Sequence, residues 1–362
     1  MKKFLAIALV MVLALSMLTA CGGDSKPSGD TRTVTTRTVT DMTGYDVVLP
    51  QEIETVINLW HANNQMVLLL GGADKLIGTT SVIKGLPWYA YVYPRIAEVP
   101  PFVLQTSTGG FNTEEILAAN PDLVITSSKD DAEIMRNAGI TSAVVTFRDF
   151  DGLKETVRVT AKLLGGDAED RANDFLTYFD ANLAMLQDRL SDLSEEDKPK
   201  VYQIRSEDPL QTDGRISICT QWLEAGGGIN AIAHVTDDNQ ATITFEEVLA
   251  ADPDIIIVAV QNAVGAQNAQ PIIDHIKNDP AWANVKAVKE GRLYANPVGT
   301  FLWARYSCEE ALQVLWTAKL LHPDRFEDLD MVKEVQDFYK RFYNFDMSTK
   351  DAELMLAGFG PE

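Results

Sequence analysis

The chain has 362 residues, a formal charge of −21 at pH 7 and a hydrophobic content of 46%. That acidic balance, with no basic run anywhere, excludes nucleic acid as a partner, and capture of an anion would need a local cluster of arginines. About 320 residues lie beyond the N-terminal segments, long for a single core and suited to two domains.

Lys2 and Lys3 open the chain, and Phe4 to Leu18 is an almost unbroken apolar run. A run of about 15 residues is short for a membrane span, which needs roughly 20, and fits the apolar stretch of a signal peptide. It closes on Leu18-Thr19-Ala20-Cys21, the pattern of a bacterial lipobox. Residues 1–20 are therefore expected to be a lipoprotein signal peptide, and Cys21 the site of lipidation. Loss of the two lysines with the leader takes the formal charge from −21 to −23. Residues 21–38 are rich in Gly, Ser, Thr, Asp and Pro and should form a flexible tether, since they cannot bury enough apolar surface to offset ordering. The body is thus expected to be lipid-anchored at the outer face of the cytoplasmic membrane, the periplasmic side in a Gram-negative cell. Cys219 and Cys308 remain, and whether they pair is open. Four histidines and no CxxC or HxxxH give no structural zinc signature.

In chain order, Thr55 to Leu59 reads as a strand and Ala62 to Leu70 as a helix ended by Gly71-Gly72. Lys75 to Thr79 and Ala143 to Phe147 read as further strands. The segment Glu114-Glu115-Ile116-Leu117-Ala118-Ala119-Asn120-Pro121-Asp122-Leu123-Val124-Ile125 recurs, with few changes, at Glu246 to Ile257. In each copy, acids open a short helix at the positive end of its dipole, proline stops it, and aspartate leads into a buried strand. Two copies so far apart suit two similar lobes rather than a solenoid. Ala168 to Leu193 carries helical spacing with neither Pro nor Gly, and Val201 to Ile204, Ile255 to Val260 and Arg292 to Tyr294 supply a second strand series. The expected fold is α/β: two Rossmann-like lobes with parallel sheets, residues 39–165 and 199–362, joined by one long backbone helix within 166–198.

The ordered set of local segments resembles a known family. It comprises the hairpin Asp41-Met42-Thr43-Gly44 to Leu49-Pro50, the doubled Glu-Glu segment, Ala225-Gly226-Gly227 with Asn230-Ala231, Asp279-Pro280-Ala281-Trp282, Gly291-Arg292-Leu293-Tyr294 and Leu321-His322-Pro323. The chain is similar to the periplasmic binding proteins that serve ferric siderophore, haem and cobalamin importers, whose lobes are joined by a single helix. The resemblance implies a monomeric solute-binding protein, not an enzyme. It would deliver a metal chelate, most of all a ferric siderophore, to an ABC permease and its ATPase. No covalent cofactor beyond the lipid is implied, and haem, cobalamin or a molybdate-like oxyanion are alternative cargoes. It also implies one docking acid per lobe, falling on Glu114 and Glu246, although Glu115 and Glu247 blur that assignment.

Ligands of parallel α/β sheets sit beyond the carboxyl ends of the strands, here between two lobes. The candidate ligand-binding residues are therefore Trp60, His61, Ser81, Trp88, Tyr89, Ser128 and Arg148 from the first lobe, with Arg205, Gln261, Trp303 and Arg305 from the second. Trp303 offers a flat apolar wall and Arg305 a fork for carboxylate or oxyanion, while His61 is the candidate direct metal ligand. A secreted enzyme is the rival reading, but no GxSxG elbow and no close pair of histidines supports it. A stand-alone sensing lipoprotein is the other.

Overall fold

The structure is a computed structural model, and it describes residues 35–103, 110–260 and 269–362. A hairpin of β1 (Thr36–Thr40) and β2 (Asp46–Pro50) comes first. The first lobe then runs β3 (Val56–Asn58), α1 (His61–Leu69), β4 (Leu76–Gly78), α2 (Ser81–Lys84), α3 (Pro87–Val92), α4 (Thr113–Ala119), β5 (Leu123–Thr126), α5 (Lys129–Asn137) and β6 (Ser142–Val144). Helices α6 (Phe150–Leu164) and α7 (Ala168–Arg189) lead to the second lobe. That lobe contains β7 (Lys200–Ile204), β8 (Gln211–Thr212), α8 (Ile218–Ala225), β9 (Ile229–Asn230), β10 (Ala241–Thr242), α9 (Phe245–Ala251), β11 (Ile255–Val258), α10 (Gln270–Asn278), α11 (Lys286–Lys289) and β12 (Leu293–Ala295). Helices α12 (Glu310–Leu321), α13 (Met331–Tyr343) and α14 (Thr349–Leu356) follow.

Each lobe holds a four-stranded parallel sheet, ordered β4-β3-β5-β6 in the first and β12-β11-β7-β9 in the second. Numbered within its lobe, each sheet has the order 2-1-3-4, so the topology occurs twice. Both faces of each sheet are buried, as a parallel sheet requires. Leu123 and Ile125 point into a central core while Val124 points into an outer one, and Ile255 and Ile257 oppose Ile256 and Val258 in the same way. The central core is continuous from Met66 in α1 through Phe175 and Phe179 in α7 to Trp222 in α8 and Leu312 in α12.

The repeat builds the same joint in both lobes. Asn112 caps α4 and Thr244 caps α9, the latter in a reciprocal capping box with Glu247. Asn120 and Asp252 end the two helices in the left-handed region, at φ 48° and 41°. After the proline, the aspartate turns back onto the first strand of its lobe. Asp122 Oδ2 accepts from the Glu54 and Thr55 amides at 2.8 and 2.9 Å, and Asp254 Oδ2 from the Lys200 amide at 2.8 Å.

Three boundaries differ from the sequence expectation. Thr36–Thr40, partly assigned to the tether, is a strand, held because Arg37 donates to the carbonyls of Lys162 and Leu163 at the end of α6. The linking helix α7 stops at Arg189 rather than running to Leu193, giving 22 residues, or about 33 Å. The last helices do not stay with the second lobe. Gln65 in α1 donates to the Tyr343 hydroxyl, Trp88 to the Phe359 carbonyl, and Tyr91 packs on Phe345. The lobes are therefore joined by α7 and by this returning segment. The signal peptide, Cys21 and most of the tether lie outside the described residues, and no helix among the described residues is long and apolar enough to cross a membrane.

Asp122→Ala strands two backbone donors at the root of the first sheet and is expected to lower the unfolding free energy by about 2 kcal/mol. Asp122→Asn keeps an acceptor oxygen and should lose less; urea denaturation of both variants measures the difference.

Candidate functional site

In the first lobe the turn after β3 is set by buried amides. Asn58 Oδ1 accepts from the Trp60 amide, and Asn64 Nδ2 bridges the carbonyls of Asn58 and Trp60 at 3.2 and 3.0 Å. Asn63 ties the same turn to Thr160 in α6 at 2.9 Å. These bonds hold the Trp60 ring against Phe147, which follows β6, in an edge-on contact with centroids 5.6 Å apart. Tyr306 of the second lobe closes the group, 5.4 Å from Phe147 and 6.4 Å from Trp60. Three rings from two lobes thus meet beyond the carboxyl ends of β3 and β6. Tyr306 sits at φ 58°, a conformation that a bulky residue keeps only when its surroundings impose it.

Beneath Tyr306 lies a cationic cluster built on one buried acid. Arg305, 3% exposed, donates from Nη1 to Asp213 Oδ1 at 2.7 Å, and its guanidinium lies 4.8 Å from the Tyr306 ring centroid. Arg205, which follows β7, places Nε 4.0 Å from Asp213 Oδ2. Asp213 also accepts from Ser217 at 3.0 Å. Burial disfavours the Arg305 charge more than any one neighbour favours it, but Asp213, Cys219 and Tyr306 together outweigh it and the pKa rises. For Arg205 burial wins, helped by the like charge of Arg305, and the pKa falls. Two guanidiniums thus gather at one buried carboxylate in a molecule that is acidic overall, and planar donors of this kind are suited to anions.

The loop between β12 and α12 carries these residues, and Glu309 shapes it. Its carboxylate accepts from the Thr300 amide at 3.0 Å, the Thr300 hydroxyl at 2.9 Å, the Phe301 amide at 3.2 Å and the Tyr339 hydroxyl. Gly299 is required here by space. A Cβ on it would lie 2.4 Å from Glu309 Oε2 and 2.5 Å from Trp303 Nε1. Burial pushes the Glu309 carboxyl up to about 6 against the pull of those donors.

The expected residues divide into three groups. Trp60, Arg205 and Arg305 converge at the lobe junction, and His61 lies beside it with its ring 5.7 Å from that of Phe301. Burial lowers the His61 pKa, and no group of three or more His, Cys, Asp or Glu that could hold a metal occurs among the described residues. Ser81 and Arg148 are exposed, Arg148 directly after Phe147, while Ser128 spends its hydroxyl on capping α5 through the Asp131 amide. Trp88, Tyr89 and Trp303 correct the expectation. All three are fully buried, with Trp88 bonded to the Phe359 carbonyl and Tyr89 to that of Asn64, so none presents a face to solvent. Gln261 lies outside the described residues. Cys219 and Cys308 are buried free thiols.

Sequence reasoning missed Asp213, Glu309 and the pairing of Phe147 with Tyr306. Asp213 precedes a glycine and reads as a turn, and Phe147 reads as the end of a strand. Only Tyr306, two residues past the buried Ala304, carried a signal, as part of an aromatic-basic segment after a strand.

A family model described as periplasmic binding protein matches residues 56–297. The molybdate-binding protein MolA of Haemophilus influenzae is 26% identical over 334 residues, covering 85% of this chain and 91% of its own. An uncharacterized ABC transporter substrate-binding lipoprotein of Bacillus subtilis, YvrC, is 27% identical over 342 residues, covering 91% and 100%. The probable siderophore-binding lipoprotein YfiY of the same organism is 23% identical over 310 residues, covering 84% and 93%. Among solved structures, a periplasmic solute binding protein of Veillonella parvula shares the fold with a TM-score of 0.77 at 24% identity, over 89% of this chain and 97% of that one.

The raised Glu309 carboxyl gives a pH signature. The folded state binds this proton more tightly than the unfolded chain, so the stabilisation is complete below the ordinary value of 4.5 and is lost as pH rises through about 6. Relative to Glu309→Gln, the native protein should lose about 2 kcal/mol between those limits. Urea denaturation of both proteins at pH 4.5 and pH 7 reads the change, and parallel behaviour would show that Glu309 does not titrate there.

Proposed function

The chain belongs to the periplasmic binding protein family and is a solute-binding protein of an ABC importer, and on that premise we propose that its cargo is an anionic metal species, foremost a ferric siderophore or comparable chelate. The observation that carries the proposal is Arg305, buried on Asp213 under Tyr306, with Trp60 and Phe147 of the other lobe facing it. Aromatic walls suit the rings and methylenes of a chelate, while the guanidiniums answer its charge. Exposed Ser81 and Arg148 would reach the outer part of a large ligand, and His61, its pKa lowered by burial, is the imidazole beside the junction that would approach a metal.

A second reading, a molybdate-like oxyanion, is favoured by a specific distance. The Trp60 and Tyr306 rings lie 6.4 Å apart, so a siderophore-sized ligand requires that contact to part widely, whereas a tetrahedral oxyanion needs far less room. The likeness to MolA supports the same reading. Haem or cobalamin would demand wider opening still. Two connections between the lobes favour modest closure over a wide swing.

The remaining assignments complete the proposal. Cys21 carries lipid and holds the monomer at the outer face of the membrane. Glu114 and Glu246, exposed in the first turns of α4 and α9, dock one lobe each on basic residues of the permease. Glu247 is committed to its capping box with Thr244, which leaves Glu246 as the docking acid of its pair.

Tryptophan fluorescence of the purified protein, titrated with ferric catecholate and hydroxamate siderophores, ferric citrate, haem, cobalamin and molybdate, names the cargo. Saturable quenching below micromolar level is expected from one ligand class and should vanish in Trp60→Phe. Arg305→Lys, which keeps the charge but not the fork, should weaken that ligand by about 30-fold. No response from a folded protein to any of the panel would overturn the proposal. Separately, Glu114→Arg with Glu246→Arg should leave ligand affinity unchanged and abolish stimulation of the permease ATPase in nanodiscs.

A further inference from the structure

Helices α4 and α9 occupy the same place in the two lobes, and their sequences agree and differ in a telling pattern. Several buried positions have diverged, although Ile125 and Ile257 are the same. Ile116 is matched by Val248, Leu123 by Ile255 and Val124 by Ile256, all of them in the cores. The exposed positions Glu114 and Glu246, Leu117 and Leu249, and Ala118 and Ala250 are identical. Packing constrains the first set; in the second, the acids also suit the positive ends of their helix dipoles, but nothing within the fold calls for the leucines. Leu117 is 51% exposed and Leu249 40%. A single exposed leucine needs no explanation. Two at equivalent positions of an internal repeat, each three residues after an exposed acid and so on the same helix face, do.

We infer that Leu117 and Leu249 are apolar docking contacts, each seating one lobe in a recess of the permease beside the basic residue that meets Glu114 or Glu246. The inference rests on the docking reading above and extends it from two charges to a two-part footprint repeated once per lobe. A partner with two-fold symmetry fits a surface that offers the same Glu-Leu-Ala face twice. The acids give orientation and speed of encounter, and the leucines give contact that salt does not screen. Glu247 takes no part. It is the third residue of its helix and folds back onto the Thr244 amide and hydroxyl.

The test uses the full chain and its permease–ATPase complex in nanodiscs, with binding followed by surface plasmon resonance at low and high salt. Leu117→Ser and Leu249→Ser should each weaken binding about fivefold, and together about 25-fold, by the same factor at both salt concentrations. Glu114→Arg and Glu246→Arg should weaken it more, with an effect that shrinks as salt rises. Thermal unfolding confirms that the serine variants remain folded, as expected for half-exposed positions. If the arginine variants bind normally, the docking reading itself fails. If they fail to bind while the serine variants bind like the native chain, the docking reading stands and only the present inference falls.

Discussion

The loop from Gly299 to Glu309 has no regular ladder of its own, so its path depends on two adjacent buried carboxyls, Glu309 and Glu310, the second accepting from the Ser307 amide. Glu309 gathers the amides of Thr300 and Phe301 and the hydroxyls of Thr300 and Tyr339, and without it those donors would be stranded in a core that excludes water. The network continues outward. Tyr343 accepts from Gln65 at 2.6 Å, and the Gln65 amide oxygen accepts from the Cys308 amide at 2.9 Å. A side chain on the first helix of the first lobe is thereby bonded to the loop that presents Arg305 and Tyr306 from the second. The cationic cluster and the aromatic contact are both consequences of where that loop is held.

The same logic of shared joints explains the architecture. One short segment, used twice, supplies a capped helix, a left-handed turn, a proline and an aspartate that ties the third strand of each sheet to the first. Because the turn and the staple are local, the segment can be copied without copying the surrounding core, which is why the buried residues of the two copies differ in size. The copies therefore place two equivalent helix faces on a molecule whose edges at the lobe junction are unlike each other: Trp60 and Phe147 on the first lobe, Tyr306 with two guanidiniums on the second.

The sheets, their lobes and the linking helix were legible because they rest on signals that survive in one dimension: apolar strand runs, a Pro-Asp pair after a short helix, and an uninterrupted helical stripe. Arg205 and Arg305 were read as cations after strand ends; that both also pair with buried Asp213 was not legible. Asp213 was not, because its partners lie 8 and 92 residues away and its local sequence says only that the chain turns. Trp88 and Trp303 misled because a large aromatic after a strand suits a cleft wall and a core equally well. What decides between them is whether other elements cover it, here the returning C-terminal segment and the Glu309 loop.

That returning segment also bears on how the lobes can move. Arg171 of the linking helix donates to the Leu69 carbonyl at the end of α1 and to the Phe342 carbonyl at the end of α13, at 2.9 and 2.7 Å. One guanidinium thus satisfies orphan carbonyls of two helices and draws them to a third, an arrangement favoured by the negative ends of both dipoles. Phe175 packs on Phe342 in the same place. Wide opening about α7 would have to break this joint and the Gln65–Tyr343 bond together, whereas a small rotation parts first the ring contacts of Tyr306 with Trp60 and Phe147. The ring contacts are the weaker element, each worth about 1 kcal/mol beyond the area it buries, so the junction is built to yield there first. A ligand that replaces one ring contact with another and adds an anion for Arg305 would therefore gain more from the partly opened arrangement than the empty protein loses.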